Sequence, residues 1–167
     1  LVKNKHYEFV IGSYTWDQAK ADAESRGGRM ACITSECLQA QLEREYVAQV
    51  GPFTDSNDTN HNFWLGATSP PDDTSTFTWL NGESLTYTNW GPEEPSITGD
   101  GIHAIQIGRY STGQWHSKLA WDAAHDAPGL LGYVLERVDV MEWRDPSAYA
   151  YDADDGILTV TTTGEVD

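Results

Sequence analysis

Two kinds of hydrophobic spacing follow one another along the chain, helical spacing early and strand spacing late. His6 to Ile11 is rich in β-formers and reads as a first strand. Thr15 then stands where a helix N-cap belongs, with Gln18 at capping-box distance. Trp16, Ala19 and Ala23 put an apolar stripe on the helix that follows. Gly27-Gly28 ends it, because glycine accepts the left-handed backbone of a helix C-terminus. The short apolar run Met30-Ala31-Cys32-Ile33 predicts a buried strand or strand end. Thr34 or Ser35 caps a second helix whose apolar face is Leu38, Leu42, Tyr46 and Val50, and Gly51-Pro52 stops it.

Helical spacing then disappears. Asp55 to Asn62 is polar turn chemistry. Phe63-Trp64-Leu65-Gly66 and Phe77-Thr78-Trp79-Leu80 read as short strands, the second followed by an Asn81-Gly82 turn. His103 to Tyr110 and Leu131 to Arg137 alternate apolar and polar residues as half-buried strands do. The spans between them are rich in Pro, Gly, Asp and Ser, and loops of that length usually carry function. Helices first and strands later predict an α+β fold, not a doubly wound one. After Val140 turn residues dominate, and Ile157 to Thr163 alternates like a strand. The expected division is therefore a main domain over residues 1–140. Residues 141–167 form a C-terminal extension or the start of a following β domain.

Composition narrows the class of partner. The 167 residues suffice for one domain with an ordinary core. Ten Lys and Arg stand against 26 Asp and Glu, a net charge of −16. A nucleic-acid binder needs clustered cations to displace counterions, and none cluster here. Anionic membranes would repel such a chain, and no run is apolar and long enough to span one. Acidity of this degree suits an extracellular or cell-surface setting. Two cysteines, Cys32 and Cys37, are too few for a disulfide scaffold; buried free thiols are favoured over a local bond. The chain opens at Leu1 without a Met, which reads as a piece of a longer, multidomain protein. No Gly-rich phosphate loop, nucleophile elbow or His-Glu-x-x-His motif is present, so an enzyme is not expected.

The order of the pieces from His6 to Val138 resembles the C-type lectin-like domain. The stretches that carry the resemblance are Tyr14-Thr15-Trp16-Asp17-Gln18-Ala19, Gly27-Gly28-Arg29-Met30-Ala31 and Thr34-Ser35-Glu36. Phe63-Trp64-Leu65-Gly66 and Trp79-Leu80-Asn81-Gly82 follow. The series closes with Asn89 to Ser96, Gly113-Gln114-Trp115 and Gly132-Tyr133-Val134-Leu135-Glu136. The resemblance implies two helices packed on small antiparallel sheets, with a long loop region over residues 82–130. In such a fold the Gly of Trp-Leu-Gly lets another backbone approach closely. The family's usual disulfide positions fall near Ala23, Ala104 and Leu135, none of them Cys. That departure, with a tail (Tyr151-Asp152, Gly156 to Val160) that looks like the strands between adhesin domains, implies a disulfide-poor bacterial member from a large surface adhesin.

In sugar-binding members, calcium is held by a Glu-Pro-Asn triplet, a nearby acid and a Trp-Asn-Asp triplet, and its open positions take sugar hydroxyls. Calcium seeks hard oxygens, mostly carboxylate and amide. Here Glu94-Pro95-Ser96 matches the first triplet except at Ser96, and Asp100 is the nearby acid. Trp115-His116-Ser117 keeps only the Trp of the second, while Trp121-Asp122 offers a carboxylate in a shifted register. Glu94, Asp100 and Asp122 are thus the expected calcium ligands, with Glu93 and Asp126 as substitutes. Glu94, Ser96, Asp100, His116, Trp121 and Asp122 are the expected ligand-binding set. Bland readings stand beside these: Glu94 and Asp100 as solvated acids, Trp90 and Trp115 as core anchors, His103 and His116 as surface or strand residues. Trp121 is the expected exposed aromatic. The implied function is calcium-dependent carbohydrate binding in adhesion, with a glycan or cell-surface protein as partner. The alternative is a calcium-independent domain that binds a protein or other surface, and a remote one is a metal-dependent hydrolase using His103, His116 and His125.

Overall fold

Both helices begin where capping chemistry places them. In the computed structural model, which describes residues 2–53, 62–71, 73, 75–96, 101–120, 130–141, 149–152 and 157–160, α1 (Trp16–Ser25) has a complete capping box. The Thr15 hydroxyl accepts from Gln18 N, and the Gln18 side chain accepts from Thr15 N. At the other end Gly27 takes φ +77°, and Gly28 N bonds back to Ala23 O, closing the last turn. Ser35, not Thr34, caps α2 (Glu36–Gln49) by accepting from Leu38 N. Leu38, Leu42 and Tyr46 are buried along α2, as their spacing predicts, and Val50 packs against the same core.

The strands are β1 (Val2–Ile11), β2 (Arg29–Met30), β3 (Asn62–Thr68), β4 (Thr78–Trp79), β5 (His103–Ile107), β6 (Trp115–Leu119), β7 (Leu130–Met141), β8 (Tyr149–Asp152) and β9 (Ile157–Val160). The expected small antiparallel sheets are mostly one seven-stranded sheet, ordered β1-β7-β3-β5-β6 with β2 on β7 and β4 on β3. Its centre is mixed, since β3 and β7 run parallel. β1 and β7 pair from Val2 opposite Met141 to Ile11 opposite Gly132, bringing the two ends of the domain together. β8 and β9 form a separate antiparallel pair.

Each central strand is buried on both faces. Phe63 and Leu65 of β3 join Leu38, Leu42 and Tyr46 of α2 in one core, with Ile105, Ile107 and Trp115. Trp64, between them, joins Trp16, Ala19 and Ala23 of α1 in a second core, with Ala104, Tyr133 and Leu135. This corrects the half-buried reading of β5 and β7: His103–Ile107 and Gly132–Glu136 are buried throughout. The polar positions that made them look half-exposed are covered by the opposite core. Glu136 bonds the Arg29 guanidinium, lies 3.2 Å from Lys5 Nζ and accepts from Cys32 N. The positions where disulfides were expected, Ala23, Ala104 and Leu135, are all fully buried in the second core. Packing fills the place of covalent bonds there.

The two cysteines part company. Cys32 is a free buried thiol, pushed up to about 11 by burial and the nearby Glu136 carboxylate. Cys37 is free but exposed on the first turn of α2, so the buried reading fails for it.

The close backbone approach expected at Gly66 is present. Gly66 N donates to Ala31 O and Leu80 N donates to Gly66 O, both at 2.8 Å, and a Cβ here would sit 2.7 Å from Met30 O. Backbone atoms cannot step aside as a flexible side chain can. Gly66→Ala should therefore lower unfolding stability by about 2 kcal/mol or more. Urea unfolding of the two proteins measures it, and an unchanged midpoint would show that the approach is not tight.

Candidate functional site

β6 is the outer strand of the sheet, and the segment before β5 closes its free edge. Trp115 N donates to Asn89 O at 2.7 Å, and Gly91 N donates to Trp115 O at 2.8 Å. The next outward-facing amide, Ser117 N, meets a carboxylate oxygen, Glu94 Oε2, at 3.1 Å. A loop side chain thus takes the place of a further strand residue. Asn89 Nδ2 bonds Gly113 O, and Gln114 Nε2 bonds Trp90 O, fixing the segment at its start. Trp115 is fully buried, with Trp79, Tyr87 and Trp90 edge-on around it at centroid distances of 5.7, 5.8 and 5.9 Å. Trp90 and Trp115 are core anchors, as their bland reading has it.

Glu94 is not a solvated acid. Its side chain is 5% exposed, and Oε2 takes three donors: Ser96 N at 2.9 Å, Ser117 N at 3.1 Å and Ser117 Oγ at 3.0 Å. Ser117 Oγ also accepts from Ser96 N at 2.9 Å and lies 2.8 Å from Ser96 O. The single Ser117 proton is shared between two acceptors, so the three residues form one closed knot. The Glu94-Pro95 bond is cis, and Glu93 before it has φ 60°, a left-handed backbone rare for a side-chain-bearing residue. On the outer side Arg109 Nη1 stands 3.9 Å from Glu94 Oε1, its guanidinium 5.5 Å above the Tyr110 ring. The Tyr110 ring packs on Gly91, where a Cβ would come within 2.3 Å of it.

Of the expected ligand-binding residues, the fold brings Glu94 and Ser96 together and adds Ser117. His116 lies next in sequence but on the other face of β6, opposite Gln106. It is buried, its ring 6.4 Å from Tyr110, and its Nδ1 has no hydrogen-bond partner. Asp100, Trp121 and Asp122 lie outside the described residues, as do His125 and Asp126. Sequence reasoning missed Arg109 and Tyr110; their signal was a cation and an aromatic directly after a strand, in a chain with few cations. His103 and His116 are both buried strand residues, but they face opposite sides of the sheet, since His103 pairs with Leu119 and His116 with Gln106. They cannot share a metal, which removes the hydrolase arrangement.

Calcium is the ion the resemblance implies, and the described residues do not fit it. One Glu94 oxygen is spent on three protein donors, the Ser96 backbone and the Ser117 hydroxyl are engaged with each other, and a guanidinium faces the second oxygen. Among the described residues no group of three or more His, Cys, Asp or Glu side chains could hold a metal ion.

Residues 12–120 match the family model of the lectin C-type domain. The chain belongs to the C-type lectin domain family. Members are carbohydrate-recognition modules and generally not enzymes. The chain is 29% identical over 114 residues to the Secretory phospholipase A2 receptor of Mus musculus, covering 68% of this chain and 7% of the relative. It is equally 29% identical over 114 residues to the Low affinity immunoglobulin epsilon Fc receptor of Mus musculus, covering 68% of this chain and 30% of the relative. The C-type lectin match thus spans less than a third of those relatives' length. The cow C-type carbohydrate-recognition domain of CD23, solved in the presence of GlcNAc2Man3 oligosaccharide, superposes with a TM-score of 0.60 at 24% identity. That match covers 82% of this chain and 90% of the other. A calcium-independent type II antifreeze protein gives 0.56 at 17% identity, covering 81% and 85%. These two likenesses show the fold alone. The curated relatives matched here are animal proteins, so the expected bacterial adhesin origin finds no support.

His116 supplies a pH dependence. Burial, with Arg109 and Lys118 nearby, pushes it down to about 3 from an ordinary value of 6.5. The unfolded chain takes up this proton below 6.5 and the folded chain does not, so the contribution is full above 6.5 and falls away toward about 3. Urea unfolding at about pH 5 should show roughly 2 kcal/mol less stability from this group than at about pH 7. His116→Asn should flatten that slope; an equally steep slope in the variant would assign it to other groups.

Proposed function

We propose that this chain is a non-catalytic recognition domain, outside a cell or on its surface, that meets a protein ligand with its loop face and needs no calcium at Glu94. The observation that carries this reading is the Glu94–Ser96–Ser117 knot. In a sugar-binding relative an ion would both tie the loop and offer open coordination to hydroxyls. Here hydrogen bonds do the tying: Glu94 Oε2 is committed to three protein donors, and Arg109 Nη1 stands 3.9 Å from Oε1. Recognition then rests on direct contacts of the loop surface, where Arg109 is 48% exposed. The domain covers residues 1–140, and residues 141–167 lead into a further β element within a multidomain chain. The separate β8–β9 pair supports that division.

A second reading keeps calcium-dependent glycan binding in adhesion, with Glu94, Asp100 and Asp122 as ligands. It is favoured by Glu94-Pro95-Ser96 standing where the family's first triplet belongs and by the oligosaccharide present with the cow CD23 domain.

Thermal melts in EDTA and in millimolar calcium separate the two. The expected result is one midpoint in both, since a ligand stabilises only the state that binds it. Glu94→Ala should lose about 2 kcal/mol in either buffer, because it strips the acceptor from three donors. A calcium-dependent rise of the natural chain that Glu94→Ala abolishes would overturn the proposal and restore the glycan reading.

A further inference from the structure

A second surface lies away from the loop knot. A cleft of about 560 Å³ runs between α2 and the turn after β5. Ala40, Val47 and Phe53 give it apolar surface, and Glu43, Arg44 and Thr112 give it polar groups. Its size falls in the range of ligand sites. Val47 is 52% exposed, whereas Leu38, Leu42 and Tyr46 of the same helix are buried. The walls are fixed. Phe53 stacks on the buried Tyr46 ring at 3.9 Å, and Gln39 Nε2 bonds both Glu43 Oε1 and Gly113 O, tying the helix to the turn.

Arg44 is the feature that asks for a partner. Lys20, Arg26, Arg29, Arg109 and Arg137 each lie within 4.0 Å of a carboxylate, whereas Arg44 makes no ion pair or hydrogen bond with the described residues. Its helix neighbours at three and four residues either way are Gln41, Val47, Ala40 and Ala48, so no acid of α2 is placed to pair with it. In a chain of net charge −16 an exposed cation without an acid is scarce. Its fork of donors matches a carboxylate in two parallel hydrogen bonds. The apolar surface beside it matches an aliphatic or aromatic side chain. A run of acids would be repelled by the rest of the molecule, which limits the occupant to a single carboxylate at this spot.

The geometry points to this cleft as the docking site of a peptide segment of a protein partner, one that carries a carboxylate next to an apolar side chain and is anchored by Arg44. The site is independent of the loop face and of calcium, so it stands or falls without that reading. The test is a titration of the full ¹⁵N-labelled chain with the N-acetylated, C-amidated tripeptide Leu-Glu-Phe and its Leu-Gln-Phe counterpart. Amide shifts should move around Ala40, Arg44, Val47 and Thr112, and the Gln peptide should bind about tenfold more weakly. Arg44→Gln, an exposed change that leaves the core intact, should erase the difference between the two peptides. Equal affinity of both peptides for the natural chain, shifts centred elsewhere, or no saturable binding at millimolar peptide would overturn the proposal.

Discussion

A sheet that is buried on both faces still has two edges, and every edge strand presents backbone groups that must find partners. Helix α2 answers for the β1 edge, and anchors the approach to the β6 edge, through the amides of its glutamines. At β1, Gln49 accepts from Phe9 N and donates to Tyr7 O, copying the pair of bonds a neighbouring strand would make, and Gln41 donates to Lys5 O. At the far edge, Gln39 donates to Gly113 O and accepts from the Trp115 indole. One helix therefore reaches across the sheet from β1 to the start of β6. Its apolar face holds the core, and its glutamines close the β1 edge and tie the turn before β6.

The site follows from the same constraint. Past Trp115 the edge of β6 runs beyond the reach of α2, and the outward amide of Ser117 needs an acceptor. Glu94 supplies it, and Ser96 and Ser117 complete the closure. A carboxylate with this duty is held low in solvent exposure and has one oxygen committed before any ligand arrives. The residue that the family pattern marks as an ion ligand is thus first a structural residue of the sheet edge. Substituting Ser for Asn in the first triplet and Ser for Asp in the second belongs to that role. Small hydroxyls allow backbone and side chain to close on Glu94 directly, where longer side chains would hold an ion between them.

The fold was largely legible because its signals are local. Thr15 with Gln18, Gly27-Gly28, and the Leu38-Leu42-Tyr46 spacing each report a few neighbouring residues, and Gly66 reports a close approach by having no side chain. What stayed hidden depends on pairing between distant segments. The parallel union of β3 with β7, and the second core behind Trp64, cannot be read from alternation, because a strand buried on both faces with His103, Gln106 or Glu136 inside looks half-exposed. The same holds for the site. Glu94 and Ser96 were visible as a triplet, but the commitment of Glu94 to Ser117 requires knowing that β6 is an edge. Arg109 and Tyr110 were missed for the same reason, since only the turn after β5 brings them over Gly91 and Glu94.

The lack of disulfides bears on how such a domain keeps its loops in place. Where crosslinks were expected, Ala23, Ala104 and Leu135 sit in one apolar core, and α1 is joined to β7 by a hydrogen bond from the Tyr133 hydroxyl to Asp22, which Arg26 also pairs. That bond holds the Asp22 carboxyl below its usual range, so the tie is strongest once Asp22 is ionised. On the other side, Lys5, Arg29 and Glu136 join β1, β2 and β7 within the sheet. A crosslink acts mainly on the unfolded chain, whereas packing and buried charge act on the folded one and respond to pH. Stability in this domain is therefore a property of its α2-stapled sheet and of the two apolar cores on either side of it.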